Sequence, residues 1–240
     1  MKINLLLLFS ICFALGLQAQ GLKGAWEYFS LSKDGDSLKR VVIFSEAYQV
    51  STIYNSATGK FIETNGGTWD LNNNTLTETV EFHSSNPEMV GNEISFEISM
   101  TDENEFIIEE NGEKFKRLDN GTPGQLQGAW LMSGRVKDGK TQSRDTNRPR
   151  KTMKILSGTR FQWIAYNTET KEFKGTGGGT YSTENGAYSE NIEFFSKNNS
   201  KVGLNLKFNY DLKDGEWHHT GFSSKGDPIH EIWSLRPRSN

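Results

Sequence analysis

The chain repeats itself. "LKGAW" at Leu22–Trp26 returns as "LQGAW" at Leu126–Trp130, a shift of 104 positions. Beyond that point the shift is 112: Lys39 with Lys151, Ile43 with Ile155, Tyr54 with Tyr166, Gly67 with Gly179, Glu78 with Glu190, Phe96 with Phe208. The extra eight residues fall in "GKTQSRDTNRPR", Gly139–Arg150, a polar and basic stretch. One offset held over so many positions marks two homologous units, which must be recognised before any local structure is read. They meet at "LDNGTPGQ", Leu118–Gln125, where Asn, Gly and Pro read as a linker. The expected division is 21–119, a linker over 120–125, and 126–240. One sheet shared by both halves is the alternative.

Each half reads as strands. "RVVIFSE", "YQVSTIY", "GTWDL", "LTETVEFH", "EISFEISM", "EFIIEE" and "EKFKRL" are short, rich in β-branched and aromatic residues, and separated by Gly, Asn or Asp turns. With the stretch after "GAW" this makes about eight strands per half, and no segment holds a helical period over three turns. Eight antiparallel strands can close on themselves, which removes exposed edges and leaves room for one small ligand. The expected fold is all-β, two tandem eight-stranded antiparallel barrels, with a sandwich as the alternative.

Gly24-Ala25-Trp26 and Gly128-Ala129-Trp130, each opening such a unit, resemble the Gly-x-Trp start of lipocalin-like barrels. The second half also resembles an uncharacterised lipocalin-like family of secreted bacterial proteins, through "PRKTMKIL", "RFQWIAYNTETKEFKGTGGGTY", "YSENIEFF", "WHHTG" and "IHEIW". The resemblance implies a tryptophan closing each barrel floor, packed beneath an arginine of the last strand, with Arg117 and Arg236 as candidates. It implies no established activity.

Lys2 followed by the apolar run Ile3–Leu17 and the small residues of "QAQG" reads as a cleaved leader over residues 1–20, hence an exported protein, periplasmic or secreted. The run is short for a membrane span, and no later run approaches that length. Cys12, the only cysteine, lies in this leader. The remaining chain therefore has no disulfide, thiol nucleophile or zinc–thiolate site, and its stability must come from its core. With 27 Lys and Arg against 30 Asp and Glu spread along the chain, nothing points to nucleic acid as a partner.

Strand alternation selects the candidate site residues. In "AYSENIEFF", Tyr188, Glu190, Ile192 and Phe194 share a face, as do Leu76, Glu78, Val80 and Phe82 earlier. Both glutamates are thus expected on the apolar inner face, where a carboxylate needs a partner. Lys151, which shares a face with Met153 and Ile155, is the expected partner of Glu190, and Lys39 that of Glu78. Residues special to the second half are the better candidates for function: His218 and His219 beside Trp217, then His230 and Glu231, with Trp163 on the second strand of that half, where Tyr166, matched by Tyr54, joins it. Glu231 alternates with Ile229 and Trp233 and should point inward. Lys151, Trp163, Tyr166, Tyr181, Glu190, His218, His219, Glu231 and Trp233 would then line a polar, aromatic pocket.

Such a lining suits a small polar or sugar-like ligand, bound without a cofactor. The competing readings are a carbohydrate-active enzyme using Glu190 and Glu231 as acid and base, and a non-catalytic interaction module on the cell surface. A metal held by both histidines is disfavoured, because neighbours in a strand point to opposite faces. "GTGGGT", Gly175–Thr180, lacks the Lys-Ser/Thr and following helix of a phosphate loop and reads as a strand bend. The basic stretch "SRDTNRPRK", Ser143–Lys151, is expected as a solvated loop, with an anion contact over the barrel mouth as its functional alternative. Oligomeric state is not legible.

Overall fold

The computed structural model describes residues 21–122, 124–223 and 225–237; the expected leader lies outside them. Eight strands, β1 (Gly24–Leu31), β2 (Ser37–Phe44), β3 (Tyr48–Asn55), β4 (Phe61–Asn72), β5 (Thr75–His83), β6 (Glu93–Asp102), β7 (Glu105–Ile108) and β8 (Glu113–Asp119), follow one another as antiparallel neighbours. β8 returns to pair with β1 and closes a barrel. The second half repeats the plan with β9 (Gly128–Lys137), β10 (Lys140–Ser143), β11 (Arg150–Leu156), β12 (Arg160–Asn167), β13 (Phe173–Glu184), β14 (Ala187–Phe195), β15 (Asn205–Lys213), β16 (Glu216–Phe222) and β17 (Pro228–Leu235). Here β9 pairs with both β11 and β17 to close eight strands, and β10 is added as an exposed hairpin arm on β9. Part of the basic insert expected as loop is therefore a strand, pinned by Arg135 Nε donating to Gln142 Oε1 at 2.7 Å.

The glycine runs sit inside β4 and β13, the longest strands. At Gly66/Gly67 and at Gly178/Gly179 the register with the next strand shifts by one residue. A Cβ on Gly179, which has φ of +157°, would lie 2.1 Å from the Asn191 carbonyl oxygen; one on Gly67 would lie 1.8 Å from that of Thr79. Only glycine lets the two backbones approach this closely. The bulge also reverses the alternation that follows it. Phe194 and Phe82, expected on the face of Glu190 and Glu78, turn outward instead: Phe194 stacks on Tyr54 at 5.0 Å and Phe82 meets Tyr166 at 4.8 Å with the rings tilted, each in the other barrel.

In each barrel the opening tryptophan is buried in the core. Trp26 Nε1 donates to the Leu22 carbonyl at 2.8 Å, and Trp130 Nε1 to that of Leu126 at 2.9 Å. Arg117 lies 3.9 Å over the Trp26 ring, but Arg236 does not serve Trp130. Register pairs Trp130 with Leu235, so Arg236, one residue on, points out of the barrel. There it covers the Tyr48 ring at 3.9 Å and grips Glu81 with both Nη atoms at 2.8 and 2.6 Å.

Glu81 belongs to the first barrel, and the two barrels share a core. Ala25, Val41, Ile43, Tyr48, Val50, Tyr54 and Phe82 of the first pack with Ala129, Leu131, Met153, Ile155, Ile164, Tyr166 and Phe194 of the second. At its middle the buried Gln162 accepts from Thr52 at 2.7 Å and donates to Thr64 at 3.1 Å and Thr176 at 2.9 Å. Tyr54 donates to Glu193 at 2.6 Å, and Tyr166 to Glu81 at 2.7 Å. Asp119, ending β8, accepts from the hydroxyls of Ser157 and Thr159 and the amides of Gly158 and Thr159, which ties the junction to the second barrel. Among the described residues no helix is long and apolar enough to cross a membrane.

Candidate functional site

Because β2 and β11 are covered on both sides, their inner faces are the opposite of those expected. Val41, Ile43, Met153 and Ile155 belong to the shared core, whereas Val42 and Phe44 face the first barrel and Leu156 the second. Lys151 and Lys39 are accordingly not interior partners of Glu190 and Glu78. Lys151 Nζ donates to the Thr146 carbonyl at 2.7 Å, and Lys39 pairs with Glu27 at 2.9 Å. The lysine inside the second barrel is Lys154, whose Nζ lies 2.9 Å from Glu190 Oε1 with both side chains about 5–6% exposed.

The second barrel holds a cavity of about 240 Å³, lined by Met132, Thr152, Lys154, Trp163, Glu190, Lys201, Phe208, His219, Ser223, Glu231 and Trp233 with several apolar neighbours. β11 contributes the lysine and β14 the glutamate, which also accepts from the Tyr188 hydroxyl at 2.9 Å. Four rings surround the ammonium, Trp217 at 5.0 Å, Tyr188 at 5.1 Å, Trp233 at 5.4 Å and Phe208 at 6.0 Å, within the range of cation–π attraction. Trp163 meets Phe195 edge-on at 5.5 Å, and it fits because Gly177 opposite has no Cβ, which would lie 2.8 Å from the indole.

On the facing strands β16 and β17, Glu231 Oε2 accepts from His219 Nδ1 at 3.3 Å and from Trp233 Nε1 at 3.2 Å. Burial pushes the Glu231 carboxyl upward, but the hydrogen bond from His219, the Lys154 charge and the indole outweigh it, and it titrates below the usual range. His219 is pulled down by burial and by Lys154. It is therefore a neutral imidazole at neutral pH. Its Nδ1 proton goes to the carboxylate, and Nε2 is left as an acceptor. That Nε2 is buried and has no hydrogen-bond partner among the described residues.

Of the nine residues expected to form the pocket, Trp163, Glu190, His219, Glu231 and Trp233 converge on the cavity. Four lie elsewhere. Lys151 and Tyr166 are on the outer face toward the first barrel. Tyr181 is packed in the barrel interior away from the cavity wall and donates to the Ser157 carbonyl at 2.5 Å. His218 points outward, 3.0 Å from His230. Lys154 was missed. The available signal was a single charge between Met153 and Ile155 in an apolar strand.

The first barrel holds a smaller cavity of about 170 Å³, lined by Val42, Phe44, Gln49, Asn65, Trp69, Glu78, Phe96, Phe106 and Phe115 among others. Glu78 is 5% exposed and accepts from Asn65 Nδ2 at 3.2 and 3.3 Å. Burial pushes its carboxyl up to about 7, against the hydrogen bonds of Asn65 and Gln49. Position 42, the counterpart of Lys154, is valine.

No curated protein matches the chain. Residues 125–236, which contain every strand of the second barrel, match the model of a domain of unknown function, DUF4488.

Proposed function

We propose that the protein is an exported, lipocalin-like binding protein whose second barrel holds a small polar or sugar-like ligand without chemical conversion. The observation that carries this reading is His219, which lines the cavity together with Glu190, Glu231, Lys154 and the Trp163 ring, and whose buried Nε2 has no hydrogen-bond partner among the described residues. A buried polar atom of this kind calls for a donor, and a hydroxyl of the ligand supplies one. Carboxylates accept further hydroxyls while the indole covers an apolar sugar face. At about 240 Å³ the cavity lies below the ~300–1,000 Å³ range of drug-sized sites, so the ligand is small.

In the glycosidase alternative a general acid must hold its proton near neutral pH; Glu231, shifted toward the ionised form, suits only the base, which leaves the acid to Glu190, the partner of Lys154 at 2.9 Å. Thermal-shift and calorimetric titration of the full chain with a panel of mono- and disaccharides and small polyols tests the binding reading. Trp163→Ala and Glu190→Gln should each weaken capture about tenfold or more while the protein stays folded. Unchanged affinity in both variants, or hydrolysis of a glycoside abolished by Glu190→Gln, would overturn it.

A further inference from the structure

The second barrel contains, in effect, its own bound ammonium. Lys154 reaches across the interior to Glu190 at 2.9 Å and stands among four aromatic rings. The first barrel keeps the receptor and omits the guest. Glu78 stands where Glu190 does, and Phe96 where Phe208 does, at the same shift of 112. Phe106 and Phe115 take the places of Trp217 and Trp233 against the opening tryptophan: Trp26 meets Phe106 at 4.9 Å as Trp130 meets Trp217 at 5.8 Å. Val42 replaces the lysine, and open space of about 170 Å³ lies beside it.

A carboxylate 95% removed from solvent normally has a cation or several strong donors. Glu78 has the amides of Asn65 and Gln49. The charged residues lining the cavity are Arg40, Glu63, Glu78 and Glu113, three carboxylates to one guanidinium. The guanidinium is already committed, with Arg40 Nη1 donating to Glu113 Oε2 at 2.6 Å. The lining is thus anionic, aromatic and short of one cation.

We propose that the first barrel binds a small organic ammonium, with Glu78 as its counter-ion and Phe96, Phe106 and Phe115 around the cationic group. This site is distinct from the second-barrel cavity and does not depend on what that cavity binds. The raised carboxyl of Glu78 adds a signature, because the ammonium selects the ionised form. Affinity should be full at pH 8 and about tenfold weaker at pH 6, where the proton competes for Glu78.

The test is calorimetric titration of the full chain at pH 8 with n-butylammonium, against 1-butanol as its uncharged analogue of equal length. Expected are binding of the amine, at least about tenfold weaker binding of the alcohol, and a loss of about tenfold or more in Glu78→Gln. Val42→Lys, which installs the tethered ammonium of the second barrel, should abolish amine binding while thermal unfolding stays cooperative. Lys154→Met should leave the first site intact and open a second one at Glu190. No amine binding by the native chain, equal binding of amine and alcohol, or binding unchanged in both Glu78→Gln and Val42→Lys would overturn the proposal.

Discussion

The hydroxyl of Tyr166 in the second barrel donates to Glu81 of the first at 2.7 Å, and the relation is reciprocal: Tyr54 of the first donates to Glu193 of the second at 2.6 Å. The four residues are two pairs at the repeat shift, so the barrels face each other through a pseudo-twofold contact. The cations completing each contact are not equivalent. Arg160 supplies Glu193, whereas Arg236 at the end of β17 supplies Glu81, because the counterpart of Arg160 is Tyr48. This interface makes the two barrels one folding unit. The chain should unfold in urea in a single transition, and Glu81→Gln, which strands the buried Arg236, should cost about 3 kcal/mol. Two separate transitions in the native chain would contradict the shared core.

Lys154 and Glu190 form the buried pair of the second barrel. Removing one member leaves an uncompensated charge, so Lys154→Met alone should lose about 3–5 kcal/mol. The double variant Lys154→Met/Glu190→Gln should recover most of it. A double-mutant cycle from urea unfolding measures the coupling; additive losses would show that the pair does not act as a pair.

Glu78 imposes a pH dependence on stability. Its folded pKa of about 7 lies above the ordinary 4.5, so the native state holds the proton more tightly than the unfolded chain. The associated stability is fully present below about pH 4.5 and is lost as the pH rises to about 7, a change of about 3 kcal/mol. Glu78→Gln should flatten that part of the curve. Unfolding free energy measured from pH 4.5 to 8 checks it, and an identical slope in both proteins would exclude Glu78 as the source.

Gly179 is where β13 and β14 approach too closely for any side chain. Gly179→Ala should destabilise by about 3 kcal/mol or more, since both the positive φ and the Asn191 carbonyl oppose a Cβ. Gly21→Ala, with open space around its Cβ, serves as the control and should be near neutral. Melting temperatures of the two variants decide the point.

Much of the candidate site was legible on strands with one apolar face. In "WHHTG" and "IHEIW" the alternation separates His219 from His218 and sends Glu231 inward, where the structure places it. The reading failed on β2 and β11. "VVIF" is apolar on both sides and "MKIL" is so but for Lys154, because one side fills the barrel and the other fills the contact between barrels, so the apolar alternation does not say which is which. That ambiguity put Lys151 in the pocket and left Lys154 out. The bulges after the glycine runs produced the same kind of error for Phe82 and Phe194, since one extra residue inverts every later side chain.

The sequence by itself determined the two-fold repetition, the all-β strand pattern and the inward carboxylate of each half, because these follow from periodicities carried along one strand or one copy. Only the tertiary structure decided which lysine meets Glu190, why Glu78 has none, and that Tyr54, Tyr166, Glu81 and Arg236 serve the joint between barrels. Those facts depend on which of two apolar faces a strand turns to its neighbour. At the joint that choice is made by the packing of residues 70 to 155 positions apart in the chain.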